Sequence, residues 1–157
     1  MRPDFERKIA LLADVARRAL EVVDPSKLAW DVAVDFREFP RGACGSSSIV
    51  LGQFLSEHGL GDFMYMNGRR SSDERVNCHT WLQQGSLIVD ITGDQFPDRP
   101  RIFVGRADPW FAEFEDTDPH VASTAMWGPS WVGPLSGLYA EFLEHVPAVS
   151  WPPALNT

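Results

Sequence analysis

The sequence has few basic residues, few cysteines and no long apolar run, and each shortage argues against a class of function. The 14 Lys and Arg residues against 22 Asp and Glu residues give a formal charge of −8. This charge argues against nucleic acid or an anionic membrane as the partner, because both require a basic surface. No apolar stretch approaches the roughly 20 residues that span a bilayer, and the first residues, MRPDFERK, lack the apolar region of a secretory signal. We therefore expect a cytoplasmic protein, with signal-independent export left open.

The two cysteines, Cys44 and Cys78, allow one disulfide at most. In a reducing cytosol we expect both to be free thiols. Neither belongs to a Cys-x-x-Cys pair and no His-x-x-x-His spacing supplies further ligands, so we expect no metal. The serines at 46–48 lack the Gly-x-Ser-x-Gly elbow of a serine nucleophile.

Length and composition favour a single domain over the whole of 1–157. A chain of 157 residues can bury one core, and 44% apolar with 23% charged residues is ordinary for a globular protein. The sequence contains no internal repeat, no low-complexity tract and no linker.

Hydrophobic periodicity and turn residues predict an α+β fold, with N-terminal helices packed on an antiparallel sheet. Gly59 is placed to end the second helix. The predicted elements are a helix over Asp4–Val23, a short strand or extended connector over Leu28–Phe39, a helix over Ser46–His58, a loop over Asn67–Arg75, a hairpin of Val76–Gln83 and Ser86–Thr92, a largely irregular segment over 97–135 with one strand at Arg101–Val104, and a last helix over Leu135–Glu144.

A two-residue turn at Gln84-Gly85 predicts which hairpin residues face each other. It places His79 directly opposite Asp90, and Cβ atoms of opposed residues lie about 4.5–5.5 Å apart on one face of a sheet. A carboxylate at that distance can accept a hydrogen bond from an imidazole N–H. The same register turns the apolar residues to the other face, toward the core. These are Leu82, Leu87, Val89 and Ile91.

Cys44 has the context of an activated thiol. It lies between two glycines at a predicted helix start, where the helix dipole and free N–H groups favour a thiolate. A histidine in contact and an acid behind it complete a nucleophilic site, so we predict a Cys-His-Asp trio of Cys44, His79 and Asp90. The backbone N–H of Cys44 and the side chain of Gln95 are the candidates for stabilising an oxyanion.

These motifs resemble the core of the transglutaminase-like branch of the papain-like cysteine protease superfamily. In that branch a cysteine begins a helix, His-x-Trp opens the next strand, and Asp-x-Thr lies on the following strand. Here they read Cys44, His79-Thr80-Trp81 and Asp90-Ile91-Thr92, within roughly residues 39–96. The resemblance implies a papain-like domain in which Cys44 is the nucleophile, His79 the general base and acid, and Asp90 the orienting acid. Trp81 is a further candidate, for substrate binding.

The sequence departs from this family in two respects. Gly45-Ser46-Ser47-Ser48 follows the cysteine, where transglutaminases have an aromatic or aliphatic residue, and the acidic clusters of calcium sites are missing. A second resemblance is to arylamine N-acetyltransferases, which share the Arg-Gly approach to the cysteine, here Arg41-Gly42. Those enzymes are substantially larger, and this chain has little room for a coenzyme A platform.

The last third of the chain is rich in large aromatic residues and proline. Such side chains can line a substrate cleft or can anchor an irregular segment to the core, and we expect anchoring. The residues are Trp110, Phe111, Phe114, Trp127, Trp131 and Trp151.

Together, these features predict a thiol-dependent amidohydrolase or acyltransferase that needs no cofactor. Its thiolate attacks a peptide or glutamine carboxamide of a peptide or protein substrate, and a thioester forms. Peptide hydrolysis, deamidation, cross-linking and acyl transfer all use this trio, and the residues do not choose among them or set the oligomeric state. An arylamine N-acetyltransferase-like enzyme and a catalytically inactive papain-like binding module are the alternatives.

Overall fold

A computed structural model describes residues 3–72, 75–106, 108–115 and 117–148 of the chain. Trp151, among the aromatic residues discussed above, lies outside these ranges. The α-helices are α1 (Pro3–Glu21), α2 (Trp30–Ala33), α3 (Cys44–Glu57), α4 (Pro109–Ala112) and α5 (Pro129–Glu144). The strands are β1 (Met64–Ser72), β2 (Arg75–Gln84), β3 (Leu87–Asp90), β4 (Phe103–Arg106) and β5 (His120–Val121).

The fold is α+β, as predicted. The strands form one antiparallel sheet in the order β4-β3-β2-β1-β5. Helix α3 lies at the centre, in contact with α1, α5, β1 and β2. Within the described ranges, none of the helices combines the length and apolar character needed to cross a bilayer.

Helix α1 confirms the amphipathic pattern of the N-terminus. Ile9, Leu12, Ala16 and Leu20 recur at helical spacing and are all buried in the main core. The apolar stripe therefore packs against α3 and the sheet, and the opposite face carries the charged residues.

Helix α3 also matches its prediction, although it begins two residues earlier, at Cys44. Its C-terminus has the predicted glycine: Gly59 follows the capping residue His58 with φ +75°. Most of the helix is buried, including the stretch from Ser46 to Gly52, because helices and sheet surround it. The N-terminus of a central helix thus lies against the sheet.

The segment Leu28–Phe39 is helical rather than a strand or an extended connector. It contains α2 and a 3₁₀ turn over Val34–Phe36. Val32 and Phe36 are buried whereas Trp30 is 70% exposed, so burial repeats every four residues rather than every two. The apparent alternation of apolar residues was misleading in so short a segment.

The prediction of a loop over Asn67–Arg75 is wrong, because β1 extends to Ser72 and β2 begins at Arg75. The two strands form a continuous antiparallel ladder in which Asn67 lies opposite Thr80. Main-chain hydrogen bonds between β1 and β2 hold this polar part of the strand pair together, rather than packing of apolar side chains.

The hairpin of β2 and β3 exists, but its turn is Gly85-Ser86 and not Gln84-Gly85. Gly85 occupies the first turn position with φ +58°, which a glycine adopts without steric cost. Leu82 consequently lies opposite Val89, a shift of two residues from the predicted pairing. A shift of two leaves every side chain on its predicted face.

The segment 97–135 is more regular than predicted. Strand β4 confirms the expected strand two residues later along the chain, whereas α4, β5 and the first turns of α5 were not predicted. Helix α5 begins at Pro129 and continues through Pro134. A proline is tolerated at the first position of a helix, because the N–H of that residue would have no acceptor within the helix. Pro129 and Pro134, which predicted breaks in the chain, are thus part of a helix.

Candidate active site

Cys44 is the first residue of α3, so its thiol lies at the positive end of the helix dipole. Gly42 has φ +77°, a left-handed conformation that turns the chain into the helix. The thiol is partly exposed, and the first N–H groups of a helix have no intrahelical partner. These N–H groups are available to a negatively charged atom at the same place.

His79 and Asp90 form the predicted hydrogen bond. Nε2 of His79 donates to Oδ2 of Asp90 across 2.7 Å, and both side chains are buried, with 0% and 2% exposure. They do not lie directly opposite each other, because the register is shifted by two residues. The contact is diagonal on one face of the sheet, within reach of these longer side chains.

Thr92 holds the carboxylate of Asp90 in place. The backbone N–H of Thr92 donates to Oδ1 of Asp90 across 3.0 Å, which leaves Oδ2 for the imidazole. The Asp-x-Thr spacing is thus a local turn in which the acid accepts a hydrogen bond from the residue two positions later. The Asp-x-Thr motif is visible in the sequence, but this task of Thr92 is not.

Cys44 and His79 shift each other's pKa. Burial alone would raise the pKa of Cys44, but its hydrogen bonds with His79 and Thr80 outweigh burial and lower the pKa below its ordinary value. Burial alone would lower the pKa of His79, whereas hydrogen bonds with Asp90 and Cys44 raise it to about 9. Each group stabilises the charged form of the other, so their contact favours a thiolate beside an imidazolium.

Gln95 is brought to the same imidazole. Its Nε2 lies 3.2 Å from Nδ1 of His79 and donates to the carbonyl of Thr92 across 3.1 Å. Because Nε2 of His79 is bonded to Asp90, Nδ1 is the nitrogen left for the thiol. The amide of Gln95 is therefore beside the ring nitrogen that is left for the thiol, while its part in binding an oxyanion stays a prediction.

Four aromatic rings enclose the imidazole of His79. The ring centroids of Phe96 and Trp110 lie 5.0 and 5.6 Å from it, and those of Trp81 and Phe114 lie 6.0 Å away. Trp110 and Phe114 belong to the segment around α4, so this part of the aromatic-rich region anchors to the sheet as expected. The enclosure excludes water and strengthens the charge interactions of the site.

Trp81, the candidate for substrate binding, is 3% exposed and belongs to this aromatic cluster. Its ring packs against Phe111 and Phe114. It also borders a surface cavity of about 360 Å³ on the side of α4. Contact between Trp81 and a substrate stays a prediction.

Tyr65 is a site residue that the sequence analysis missed. It lies on β1 opposite Leu82, and its hydroxyl is 3.0 Å from the position that a Cβ on Gly45 would occupy. Burial raises its pKa, and the negative charges of Cys44 and Asp35 raise it further. A buried tyrosine on a strand is typical of a core, and no sequence signal distinguished this one.

A second cavity, of about 330 Å³, lies beside the first turn of α3. Gly45 and Ser46, the two residues after Cys44, form part of its wall. Trp127 and Trp131 line it as well. Trp127 also packs edge to face against Tyr65 and His120, so it anchors its segment to the sheet as expected.

Cys78 is an exposed free thiol on β2, and Cys44 is also free. In the described ranges, no group of three or more His, Cys, Asp or Glu side chains has the arrangement of a metal site.

The site as a whole combines a thiol, an imidazole and a carboxylate in the order that a nucleophilic triad requires. It can form a covalent bond between Cys44 and an electrophilic carbonyl carbon, with His79 moving the proton. No protein-family model, curated protein or solved structure matches this chain.

Proposed function

We propose that this protein is a thiol-dependent amidohydrolase or acyltransferase that forms a thioester on Cys44. One observation carries the proposal: the thiol at the N-terminus of α3 is hydrogen-bonded to an imidazole whose other nitrogen lies 2.7 Å from a buried carboxylate. A histidine with a merely structural role does not need a thiol on one side and an acid on the other. The α+β fold supports a papain-like, transglutaminase-like architecture, in which the nucleophile begins a central helix and the sheet carries the base and the acid.

In the first half of the reaction, the thiolate of Cys44 attacks the carbonyl carbon of a carboxamide. The π electrons of the carbonyl move to its oxygen, which becomes an oxyanion. Collapse of this intermediate restores the carbonyl and breaks the carbon–nitrogen bond. His79 donates its Nδ1 proton to the leaving amine, and the acyl group remains on Cys44 as a thioester.

In the second half, His79 accepts a proton from water or from an amine as that group attacks the thioester. The thiolate leaves, and the imidazolium forms again beside it. Asp90 keeps the Nε2–H of His79 throughout and stabilises the imidazolium. Attack by water gives hydrolysis or deamidation, and attack by an amine gives acyl transfer.

The oxyanion needs donors that point at it in the tetrahedral state. The backbone N–H of Cys44 lies at the start of α3, where it has no intrahelical acceptor. The amide of Gln95 lies beside Nδ1 of His79 and is the second donor of the proposal. The thiol chemistry also requires a compartment in which Cys44 stays reduced, so a cytoplasmic location is part of the proposal.

The experiment that tests this function is selective alkylation. Wild-type protein is treated with iodoacetamide at neutral pH, and peptide mass spectrometry follows Cys44 and Cys78 separately. We expect Cys44 to react at least about 10-fold faster than Cys78, despite being less exposed, because its thiolate form is stabilised. Slow alkylation of Cys44 that His79→Ala leaves unchanged would contradict the proposal.

The type of acyl chemistry is tested with a peptide mixture that contains glutamine. Wild type and Cys44→Ser are compared with and without a primary amine, and mass spectrometry distinguishes cleaved peptides, glutamate formed from glutamine, and amine incorporation. We expect one of these products with wild type alone.

A further inference from the structure

The cavity beside Cys44 has the position and the size of a specificity pocket. Gly45 and Ser46, the two residues that follow Cys44, form part of its wall. A group bound there is therefore within a residue or two of the carbonyl that Cys44 would attack. Its volume of about 330 Å³ is at the small end of ligand pockets, which run from roughly 300 to 1,000 Å³. It has room for one large side chain.

The charge of this cavity is negative. Asp31 of α2 and Asp35 of the following 3₁₀ turn both line it, and no Lys, Arg or His is among the described residues of its wall. Neither carboxylate forms an ion pair within the described part of the chain. An anionic group in the substrate would therefore be repelled, whereas a cationic group would find two opposite charges.

Asp35 is held in a fixed orientation at the site. Its Oδ2 accepts a hydrogen bond from Oγ of Ser46 across 2.7 Å, which ties the carboxylate to the helix that carries the nucleophile. Burial raises the pKa of Asp35, so water solvates this carboxylate incompletely. A cation bound in the cavity would supply the missing stabilisation.

Aromatic rings form the other walls of the cavity. Trp127 and Tyr65 meet edge to face with centroids 5.5 Å apart, and Tyr65 is 7% exposed. Trp127 and Trp131 are 42% and 38% exposed, an unusually open position for two indole rings. Indole faces attract ammonium and guanidinium groups, and such contacts contribute about 0.5–2 kcal/mol.

From these contacts we infer that the cavity binds a positively charged side chain of the acyl donor, of the lysine or arginine type. This inference rests on the proposed function, since it names the substrate class of the same site. The amide or thioester attacked by Cys44 then lies next to a basic residue. Asp31 and Asp35 supply the charge, and the two tryptophans supply the surface on which the alkyl chain and the cationic group pack.

Binding is tested without catalysis, in the Cys44→Ala variant, with benzamidinium and with its uncharged near-isostere benzamide. Both are titrated by tryptophan fluorescence, and two-dimensional NMR of the indole N–H groups identifies the rings that respond. We expect benzamidinium to bind at least about 10-fold more tightly than benzamide, with shifts at Trp127 and Trp131. Equal affinity for the two compounds, or shifts confined to other tryptophans, would overturn the inference.

The role of charge is tested by the double variant Asp31→Asn/Asp35→Asn, which keeps an acceptor for Ser46. It should bind benzamidinium no more tightly than benzamide. The control Asp62→Asn/Glu144→Gln removes the same net charge from two exposed carboxylates outside the cavity, and it should keep the preference. A preference that survives in the first variant, or disappears in the control, contradicts a local role of the cavity.

In the wild-type protein, peptidyl acyloxymethyl ketones that carry arginine or the uncharged isostere citrulline test the same preference at the thiol. The arginine compound should alkylate Cys44 at least about 10-fold faster. Rapid alkylation of Cys44 by iodoacetamide together with equal rates for both ketones would refute the inference and leave the proposed function intact. Selective benzamidinium binding with an unreactive Cys44 would refute the proposed function instead.

Discussion

Nε2 of His79 and Oδ2 of Asp90 lie 2.7 Å apart although the two residues occupy diagonal positions of the β2–β3 ladder. The carboxylate reaches along the strand to the imidazole, and the N–H of Thr92 holds its second oxygen. The hydrogen bond directs Nε2 at Asp90 and leaves Nδ1 of the ring for Cys44. The contact between these two residues therefore determines which nitrogen of His79 is left for the thiol.

The first prediction concerns Asp90→Asn. Burial opposes the charged form of His79, and the bond to Asp90 is the largest contribution that raises its pKa to about 9. Without the carboxylate we expect this pKa to fall, and acyl turnover to decrease about 10²–10⁴-fold. Histidine NMR titration measures the pKa, and turnover of the substrate found with the peptide mixture measures the rate.

The control for this variant is Asp98→Asn. Asp98 is exposed and has φ +65°, a conformation that asparagine also tolerates. Its substitution should change neither the pKa of His79 nor turnover. An Asp90→Asn protein with an unchanged His79 titration would contradict the role of the acid.

The second prediction concerns the pH dependence of Cys44 alkylation. Burial acts against the thiolate, but the contacts with His79 and Thr80 lower the pKa of Cys44 below its ordinary value. A lowered pKa means that the thiolate persists at lower pH. As the pH is lowered, the rate of alkylation of Cys44 by iodoacetamide should therefore begin to decline at a lower pH than the rate for the thiol of glutathione. In His79→Ala the same decline should move to higher pH. Burial raises the pKa of Cys44, and in this variant the contact with His79 no longer lowers it.

Turnover should have a second, alkaline limb, because His79 must be protonated to release the amine. With its pKa raised to about 9, the imidazolium is present below that pH and is lost as the pH rises through it. Turnover should therefore fall above about pH 9 while alkylation does not, since alkylation needs the thiolate alone. Parallel loss of both activities would argue against His79 as the acid.

The contact between His79 and Asp90 could be predicted because a sheet has a period of two. The predicted turn was one residue early, which shifted the pairing by two residues but left His79 and Asp90 on one face. A shift of the register by one residue would have placed the two side chains on opposite faces of the sheet. The face of a strand residue is thus a more robust inference than its partner.

Other parts of the site depend on tertiary contacts that local patterns do not contain. Tyr65 sits in a strand whose polar continuation indicated a loop, and its approach to Gly45 results from packing of β1 against α3. The cavity wall at Trp131 depends on where α5 starts, and Pro129 and Pro134 indicated a break there. Asp31 and Asp35 belong to a segment that is too short for its period to be read reliably.

The third prediction concerns Arg17, which fastens the Asp90–Gln95 segment to α1. Its guanidinium is buried, donates to the carbonyl of Ile91 across 2.7 Å, and pairs with both oxygens of Asp94 at 2.8 Å. Arg17→Ala leaves the buried carbonyl of Ile91 without this donor and removes the paired bonds to the partly exposed Asp94. The free energy of unfolding should therefore fall by about 2 kcal/mol. Urea denaturation measures this change.

The neighbouring residue provides the control. Arg18 pairs with Asp14, but its side chain is 73% exposed, so Arg18→Ala should cost less than about 1 kcal/mol. Arg17→Lys should recover only part of the loss, because an ammonium cannot reproduce the paired bonds of the guanidinium. Equal effects of the substitutions at 17 and 18 would show that Arg17 is not a structural anchor.

The fourth prediction separates two roles of Gln95. If its amide binds the oxyanion, Gln95→Ala should reduce acyl turnover about 10²–10³-fold and leave the alkylation of Cys44 by iodoacetamide almost unchanged, since that displacement creates no oxyanion. If Gln95 acts only by holding the His79 ring through the 3.2 Å contact with Nδ1, both rates should fall together and the pKa of His79 should move. The two measurements on one variant therefore distinguish a residue that touches the reacting atoms from one that positions the base. Gln53→Ala, on the solvent side of α3 and hydrogen-bonded to Glu57, is the matched control and should change neither rate.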